Sequence, residues 1–329
     1  MNTPAPLFSD PIHHAPTDPT LIQAPDGRWL MYYTQRRAAD DGPQHTWVHG
    51  TDIAVASSID GGTSWTYEGP VPGLDHLPGR NTLWAPEVIK VADEFHMFLT
   101  HVPGVPSTWE GPRSITHLVS PDLEDWTFRS ELALSSSRVI DACVYPLPEG
   151  GFRLWYKDEG HESQTWAIDS PDLVSWGEPF RVIESPDGEG PNVFRLGGRY
   201  WLIIDEWRGQ GVYVSDDLTT WTRDGVILED PGSRPFDSDI GRHADVVVGT
   251  DDDGEEIAWI VYFTHRVVPG SVPELELDAD GIPLSHRTDV QIAAARVVDG
   301  HLVCDRDADP AFDLRRATSS SHQRSRVLS

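Results

Sequence analysis

Acidic residues that could carry out proton-transfer chemistry recur along the chain, each at the head of an apolar, strand-like run. They are Asp18, Glu87, Asp141, Glu189 and Asp245, the last with His243 two positions before it. Carboxylates held close together repel each other, so their pKa values separate and one can stay protonated while another is ionised. A general acid paired with a general base in this way is what hydrolysis of a glycosidic bond requires.

The elements that would position these residues repeat along the chain. A turn that contains Ser and Asp and ends in Trp occurs at 58–65, 120–126, 170–176 and 215–221. The four tryptophans are separated by 61, 50 and 45 residues, the spacing expected of propeller blades. They are Trp65, Trp126, Trp176 and Trp221. We expect each Trp to pack between neighbouring sheets, and each Ser or Asp to close its turn by accepting backbone hydrogen bonds.

The stretch from Glu189 to Trp221 shows one complete unit. Its strand-like runs surround a Gly197-Gly198 turn, a hairpin signal, and predict a four-stranded antiparallel sheet. The fifth unit, which opens near Gly241, lacks the Trp signature, as terminal repeats often do. The sequence therefore predicts an all-β fold, a five-bladed β-propeller of four-stranded antiparallel blades, rather than a β-sandwich. Because inner strands of a propeller begin at one face, the acids should converge on one axial pocket.

The amino-acid composition limits the classes of molecule that the protein is expected to bind. The formal net charge of −28 repels nucleic acid and anionic membranes, so neither is expected, and a neutral or weakly charged oligosaccharide or glycoside is the expected substrate. Cys143 and Cys304 cannot form a disulfide framework. No signal peptide or membrane span is visible, which predicts a soluble, cytoplasmic protein unless an export signal was trimmed. The oligomeric state is left open.

We expect residues 1–314 to form a single propeller domain. The segment 315–329 is rich in Ser and Arg and has few apolar residues, so we predict a polar, disordered C-terminal tail.

The motifs around the acids resemble those of glycoside hydrolase family 43 and its five-bladed relatives, including family 117. They are DPT at Asp18, WAPE at Glu87, IDA at Asp141 and EGP at Glu189, and the resemblance runs from about residue 14 to 305. It implies that Asp18 is the general base, that Asp141 sets the pKa of the acid and orients it, and that Glu189 is the general acid. The absence of a WMNDPNG-type opening implies inversion at the anomeric carbon.

Other residues are assigned to substrate or cation binding. The segment GRHADVVV is closer to family 117-like relatives, some of which use a His as the acid, so His243 is a second candidate for that role. His243 is also a candidate ligand for a cation on the axis, and the resemblance allows a structural calcium, although the chemistry needs no cofactor. The substrate-binding candidates are Trp84, Glu87, His243, Arg242 and His14, with Trp84 as a stacking platform; His13, Trp207 and Asp245 are weaker candidates.

Two functions are consistent with the sequence. The first is an exo-acting, inverting glycosidase that removes a terminal sugar, with furanosides and anhydro-sugars among the candidates. The second is a propeller that binds carbohydrate or protein without turnover. Three ordered carboxylates near one axis favour the enzyme, because a binding module does not need them.

Overall fold

Five antiparallel sheets follow one another along the chain, and together they form a five-bladed β-propeller. The computed structural model describes residues 3–40, 42, 45–267 and 276–318 and the backbone of 323–324. In each blade the first strand faces the axis, where it contacts the first strands of the neighbouring blades. The predicted all-β architecture is confirmed. In the described part of the chain, no helix has the length and apolar composition needed to cross a membrane.

The blades are consecutive in sequence, and their strands pair in chain order. Blade 1 contains β1 (His14–Gln23), β2 (Trp29–Arg37), β3 (Asp52–Ser58) and β4 (Thr66–Pro70). Blade 2 contains β5 (Thr82–Val91), β6 (Glu94–Val102), β7 (Ser114–Ser120) and β8 (Thr127–Glu131). Blade 3 contains β9 (Val139–Pro146), β10 (Phe152–Asp158), β11 (Gln164–Ser170) and β12 (Phe180–Ile183). Blade 4 contains β13 (Glu189–Leu196), β14 (Arg199–Asp205), β15 (Gln210–Ser215) and β16 (Thr222–Ile227). Blade 5 contains β17 (Ala244–Thr250), β18 (Glu256–His265), β19 (Thr288–Val298) and β20 (His301–Asp305).

The repeated Ser-Asp-Trp turn joins the third and fourth strands of blades 2, 3 and 4. In blade 2, Ser120 Oγ accepts a hydrogen bond from Leu123 N at 2.8 Å, and Asp122 Oδ1 accepts one from Asp125 N at 2.9 Å. The turn forces its Leu to a positive φ and buries it, a role that the sequence analysis missed. The three buried leucines are Leu123, Leu173 and Leu218.

The hydrophobic core lies between the blades. Among the described residues, a buried apolar cluster fills each of the five blade–blade interfaces. The turn tryptophans pack against these clusters, as predicted; Trp126 is buried, whereas Trp65, Trp176 and Trp221 are partly buried. Burial of apolar surface at every interface holds the blades in a fixed relation around the axis.

Blades 1 and 5 are adjacent in the propeller, and each is built only from its own consecutive strands. Terminal segments and apolar packing hold these two blades together. Leu7 N donates to Val290 O at 2.8 Å, so the N-terminal segment lies on blade 5. At the other end, Leu314 N donates to Gly61 O of blade 1 at 2.9 Å, and Thr318 N donates to Val248 O of blade 5 at 3.0 Å. We call this closure the seam; it consists of both terminal segments and the apolar cluster between blades 5 and 1.

The segment 315–329 was expected to be a disordered tail outside the propeller. Its described beginning, 315–318, contacts blade 5 through Ala317, which bridges to Gly249. The backbone of β21 (Gln323–Arg324) pairs in parallel with β5, so the sheet of blade 2 has five strands rather than four. The rest of the segment lies outside the described residues, and the expectation stays a prediction there.

Candidate active site

Each of the first four inner strands is interrupted by a β-bulge near the face where it begins. The bulge holds one residue at positive φ: Asp18 (52°), Ala85 (44°), Asp141 (60°) and Gly190 (57°). A bulge re-aims a side chain relative to the regular pleat. His243 lies directly before β17 and takes the matching place in blade 5. The five positions together surround the axis.

Contacts from neighbouring blades hold these bulges in place. The backbone N–H of Asp141 donates to Thr100 Oγ1 of blade 2 at 3.0 Å, and that of Gly190 donates to Asp141 Oδ2 at 3.1 Å. A Cβ at Gly190 would lie 2.5 Å from the His243 ring, so only glycine fits there. Positive φ at Asp18 and Asp141 is strained for residues with a Cβ, and such strain often marks a functional position.

A cavity of about 330 Å³ lies over the bulges and contains all three predicted catalytic carboxylates. It is also lined by residues that stand one position before a bulge residue or before His243. Among them are Trp84, Glu189 and Arg242. The full lining is Asp18, Arg36, Trp84, Trp109, Arg113, Ile140, Asp141, Lys157, Glu159, Glu189, Trp207, Arg242 and His243.

Asp18 and Asp141 flank one imidazole. His243 Nδ1 lies 3.5 Å from Asp18 Oδ1 and 4.0 Å from Asp141 Oδ2. Burial alone would raise the pKa of Asp18, but His243 and the Arg36 guanidinium outweigh it and hold that pKa well below its usual range. Burial and the charges of Glu189 and Asp18 raise the pKa of Asp141 to about 7, against the effect of His243. The two carboxylates therefore differ in protonation near neutral pH.

Glu189 is paired with a lysine. Lys157 Nζ lies 3.0 Å from Glu189 Oε2 and 3.3 Å from Glu159 Oε1. Burial would raise the pKa of Glu189, but the Lys157 ammonium lowers it below its ordinary value. Asp205, opposite Glu189 in the neighbouring strand, is fully buried, and burial together with the charge of Glu189 raises its pKa to about 7.

Some predicted site residues lie elsewhere. Glu87 is buried two positions beyond the bulge of blade 2, and its Oε1 accepts a hydrogen bond from Val144 N at 2.9 Å. Asp245 occupies the equivalent place in blade 5 and accepts one from Leu21 N at 2.8 Å. Both residues connect neighbouring inner strands below the cavity. The sequence motifs predicted that Glu87 would take the position in blade 2 that Asp18 has in blade 1. In the structure the residue at that bulge position is Ala85.

The other predicted residues divide between the cavity and its surroundings. Trp84, Arg242, His243 and Trp207 line the cavity. His14 and His13 are not among its lining residues; His14 lies at the start of β1, where its backbone pairs with Arg37.

Several cavity residues were missed by the sequence analysis. Lys157 lies near the end of the second strand of blade 3, where a charged residue follows an apolar run, and Asp205 lies at the end of the second strand of blade 4. Because paired strands are antiparallel, second strands end at the face where inner strands begin. That topology is a signal that could have found them. Arg36 occupies a similar place in β2. Trp109 and Arg113 belong to the β6–β7 connection, for which the repeat pattern gives no signal.

The residues on the axis do not fit a calcium ion. Calcium takes six to eight oxygen ligands, whereas the cavity floor contributes an imidazole flanked by two carboxylates. Burial would lower the pKa of His243, but Asp18 and Asp141 raise it to about 9. The assignment of His243 as a ligand for an axial cation stays a prediction. In the searched, described residues, the donors that converge closely enough are Asp75, His76 and His101, none of which lines the cavity.

Comparison with solved structures gives the same architecture. A family 43 β-xylosidase/α-arabinofuranosidase from a compost microbial metagenome, in complex with xylotriose and in a calcium-free form, superposes with a TM-score of 0.66 at 15% identity, over 94% of this chain and 98% of that one. A thermostable family 43 glycoside hydrolase superposes with a TM-score of 0.64 at 19% identity, over 93% and 99%. This chain has the five-bladed β-propeller fold of these family 43 enzymes. The resemblance to family 43 is thus confirmed for the fold, while the relation to family 117 stays a prediction.

Curated relatives match this family 43-like chain over part of its length. A probable arabinan endo-1,5-α-L-arabinosidase A of Aspergillus fumigatus is 26% identical over 187 residues, and its counterpart in Neosartorya fischeri is 25% identical over 186. Each match covers 51% of this chain and 55% of the relative, so the chain spans about half the length of the curated relatives it matches. No protein-family model matches the sequence.

Proposed function

We propose that this protein is a glycoside hydrolase that removes a terminal sugar with inversion at the anomeric carbon. The observation that carries the proposal is that Asp18, Asp141 and Glu189 line one cavity and have different electrostatic environments. At about 330 Å³ the cavity is at the small end of ligand pockets, which favours a terminal sugar over an internal segment of a long chain.

Asp18 is suited to activate water. Its pKa is held low by His243 and Arg36, so it is ionised throughout the neutral range and can accept a proton from water on one side of the sugar. His243, which is protonated at neutral pH, keeps this carboxylate in one orientation from 3.5 Å. In an inverting mechanism the activated water attacks the anomeric carbon directly, and no covalent intermediate forms.

Glu189 is the better candidate for the acid. Its side chain is 28% exposed to the cavity, whereas those of Asp18 and Asp141 are 7% exposed, so Glu189 has more access to a leaving-group oxygen. Asp141 accepts a hydrogen bond from the backbone N–H of Gly190, the residue after Glu189. The charge of Glu189 raises the pKa of Asp141, so the protonation of one carboxyl group depends on that of the other. His243 also lines the cavity, and its Nδ1 lies near the two aspartates.

Lys157 should set the alkaline limit of activity. Its ammonium lowers the pKa of Glu189, so the acid loses its proton at a lower pH than burial alone would dictate. Lys157→Met removes that charge, so the pKa of Glu189 rises and the alkaline limb of the kcat/KM profile moves to higher pH. Lys90→Met, at the chain's other lysine and outside the cavity, should leave the profile unchanged. A profile of Lys157→Met that keeps the parent's alkaline limb would contradict Glu189 as the acid.

Trp109 should contribute to substrate binding. It lines the cavity, is 45% exposed and lies against Trp84 with ring centroids 6.1 Å apart, which suits the C–H face of a sugar. Trp109→Ala should raise KM about 3- to 10-fold with a small change in kcat. Phe180→Ala, at an exposed aromatic residue outside the cavity, is the matched control and should leave KM unchanged. An unaltered KM in Trp109→Ala would remove the residue from the binding site.

The function is tested with a panel of chromogenic glycosides that includes arabinofuranosides, xylosides, galactosides and uronides. Turnover of at least one of them, with the inverted anomer released first as followed by NMR, would support the proposal. Release of the retained anomer would contradict water activation by Asp18. Analysis of early products from linear arabinan separates the two modes of action, since exo action releases monosaccharide first. Absence of turnover across the panel would favour the non-catalytic binding propeller.

A further inference from the structure

The cavity is lined by nearly balanced charges, unlike the protein as a whole. The chain has 53 acidic and 25 basic residues. Four of those basic residues line the cavity together with His243, against four carboxylates. The cationic side chains are Arg36, Arg113, Lys157, Arg242 and His243, and the acidic ones are Asp18, Asp141, Glu159 and Glu189. Asp239 pairs with Arg242 and balances the fifth cation. Charges that line a cleft act on a ligand more directly than distant surface acids, so a ligand in the cavity does not meet the strongly negative field that the net charge suggests.

Arg36 is the cavity cation with the least satisfied guanidinium. Its side chain is 19% exposed, and it lies near the rings of Trp47 and Phe263, at 5.8 and 5.7 Å from their centroids. Its ionic contact among the described residues is Asp18 at 4.0 Å, which is too long for a hydrogen bond. Its buried Nε has no hydrogen-bond partner in the described part of the chain.

The other cavity cations have closer partners. Arg113 Nη2 donates to Trp109 O, Lys157 Nζ donates to Glu189 Oε2 at 3.0 Å, and Arg242 Nε donates to Asp239 Oδ2 at 2.9 Å. Arg113 also lies 3.1 Å from Glu159, although its buried Nε and Nη1 have no hydrogen-bond partner among the described residues. A guanidinium that is largely removed from water and incompletely hydrogen-bonded is costly in a folded protein. Two aromatic rings fix the position of Arg36, and its fork of donors matches the two oxygens of a carboxylate.

We propose that the cavity binds a glycoside whose terminal sugar is a uronic acid, with the sugar carboxylate bound by Arg36. This inference depends on the proposed function, because it names the substrate class of the same cavity. It also replaces the expectation of a neutral or weakly charged substrate, which was drawn from net charge; net charge describes the whole surface, whereas a ligand in the cavity meets the local field.

A purely structural role for Arg36 predicts different results. If Arg36 served only to stabilise the Asp18 carboxylate, its replacement would affect uronides and neutral glycosides alike. If it binds the sugar carboxylate, its replacement weakens the binding of uronides selectively. Matched pairs of sugars that differ only in a carboxylate or a hydroxymethyl group at C5 therefore separate the two roles.

The test is binding of matched methyl glycosides, measured by calorimetry on the full chain carrying Glu189→Gln to prevent turnover. The pairs are glucuronide with glucoside, galacturonide with galactoside, and mannuronide with mannoside. We expect at least one uronide to bind about tenfold or more tightly than its neutral partner, and this preference to decrease as salt increases. Arg36→Gln and Arg36→Lys should both reduce the preference, because neither keeps the bidentate donor pair. Arg28→Gln, at an exposed arginine outside the cavity, should preserve it.

The outcomes separate this inference from the proposed function. If no uronide binds more tightly than its neutral partner in any of the three pairs, the inference is overturned, even where the parent enzyme hydrolyses neutral glycosides. If a uronide is preferred but the parent enzyme hydrolyses no glycoside, charged or neutral, the inference holds and the proposed hydrolysis fails. A preference that survives unchanged in a folded Arg36→Lys variant would overturn the role of Arg36. If Arg36→Gln does not fold, Arg36→Lys provides the comparison.

Discussion

Asp18→Asn is expected to lower kcat about 10³-fold on any glycoside that the protein hydrolyses, and Glu189→Gln to lower it by a similar factor. General acid and general base catalysis each contribute about 10²- to 10⁴-fold. Asn cannot accept the proton of the attacking water, and Gln cannot donate one to the leaving group at useful rates. Both substitutions keep the shape of the side chain, so loss of turnover would report chemistry rather than a change in the cavity.

The two variants should also differ in how the loss depends on the leaving group. A glycoside with an activated nitrophenyl leaving group needs less protonation, so Glu189→Gln should lose less activity on it than on an alkyl glycoside. Asp18→Asn should lose activity on both, because water must be activated in either case. Asp216→Asn, at an exposed carboxylate outside the cavity, is the control. Near-parental turnover in both cavity variants would refute the proposed catalytic assignment.

Asp237→Ala is expected to lower the free energy of unfolding by about 3–5 kcal/mol. Asp237 is fully buried in the connection between β16 and β17, where it pairs with the guanidinium of Arg306 and accepts a hydrogen bond from Tyr262 at 3.1 Å. Arg234 lies 3.4 Å away. Removing the carboxylate leaves a buried arginine without its counter-charge, which costs more than the loss of an exposed pair.

Urea unfolding followed by far-ultraviolet circular dichroism measures this effect. Asp216→Ala breaks the exposed pair with Arg199, whose Asp side chain is 78% exposed, and should cost about 1 kcal/mol or less. The double variant Asp237→Leu with Arg306→Met replaces both members of the ion pair by apolar side chains. It should recover part of the free energy of unfolding that Asp237→Ala loses. If Asp237→Ala were no less stable than Asp216→Ala, the buried pair would not contribute to anchoring the connection.

The fold was predictable because its signal is repeated. The turn that ends in Trp appears four times, and its Ser and Asp side chains close it through local hydrogen bonds. Asp18, Asp141 and Glu189 could be placed in the cavity because all three stand near the start of an inner strand, and inner strands share one face. Local sequence therefore contained enough information for the blades and for these three carboxylates.

The rest of the site depends on features that a single sequence does not show. A bulge adds a residue without a clear sequence mark, and this is why Glu87 was placed in the cavity when Ala85 holds the equivalent position. Lys157 and Arg36 belong to second strands, and they reach the cavity through the twist and packing of the blades. The balance of charges in the cavity could not be read from composition, because it depends on which few side chains meet on the axis.

The seam between blades 5 and 1 differs from the other blade junctions in having no covalent connection within the described chain. Every other pair of neighbouring blades is joined by continuous chain, whereas this pair depends on terminal segments and apolar packing. A circular permutant that joins the present ends and opens the chain between two other blades would turn the seam into a covalent connection and transfer the non-covalent junction to a new place. Asp18, His243 and their shared contact lie on the two sides of the present seam. A shift of blade 5 relative to blade 1 would therefore change the distance between Asp18 and His243 directly.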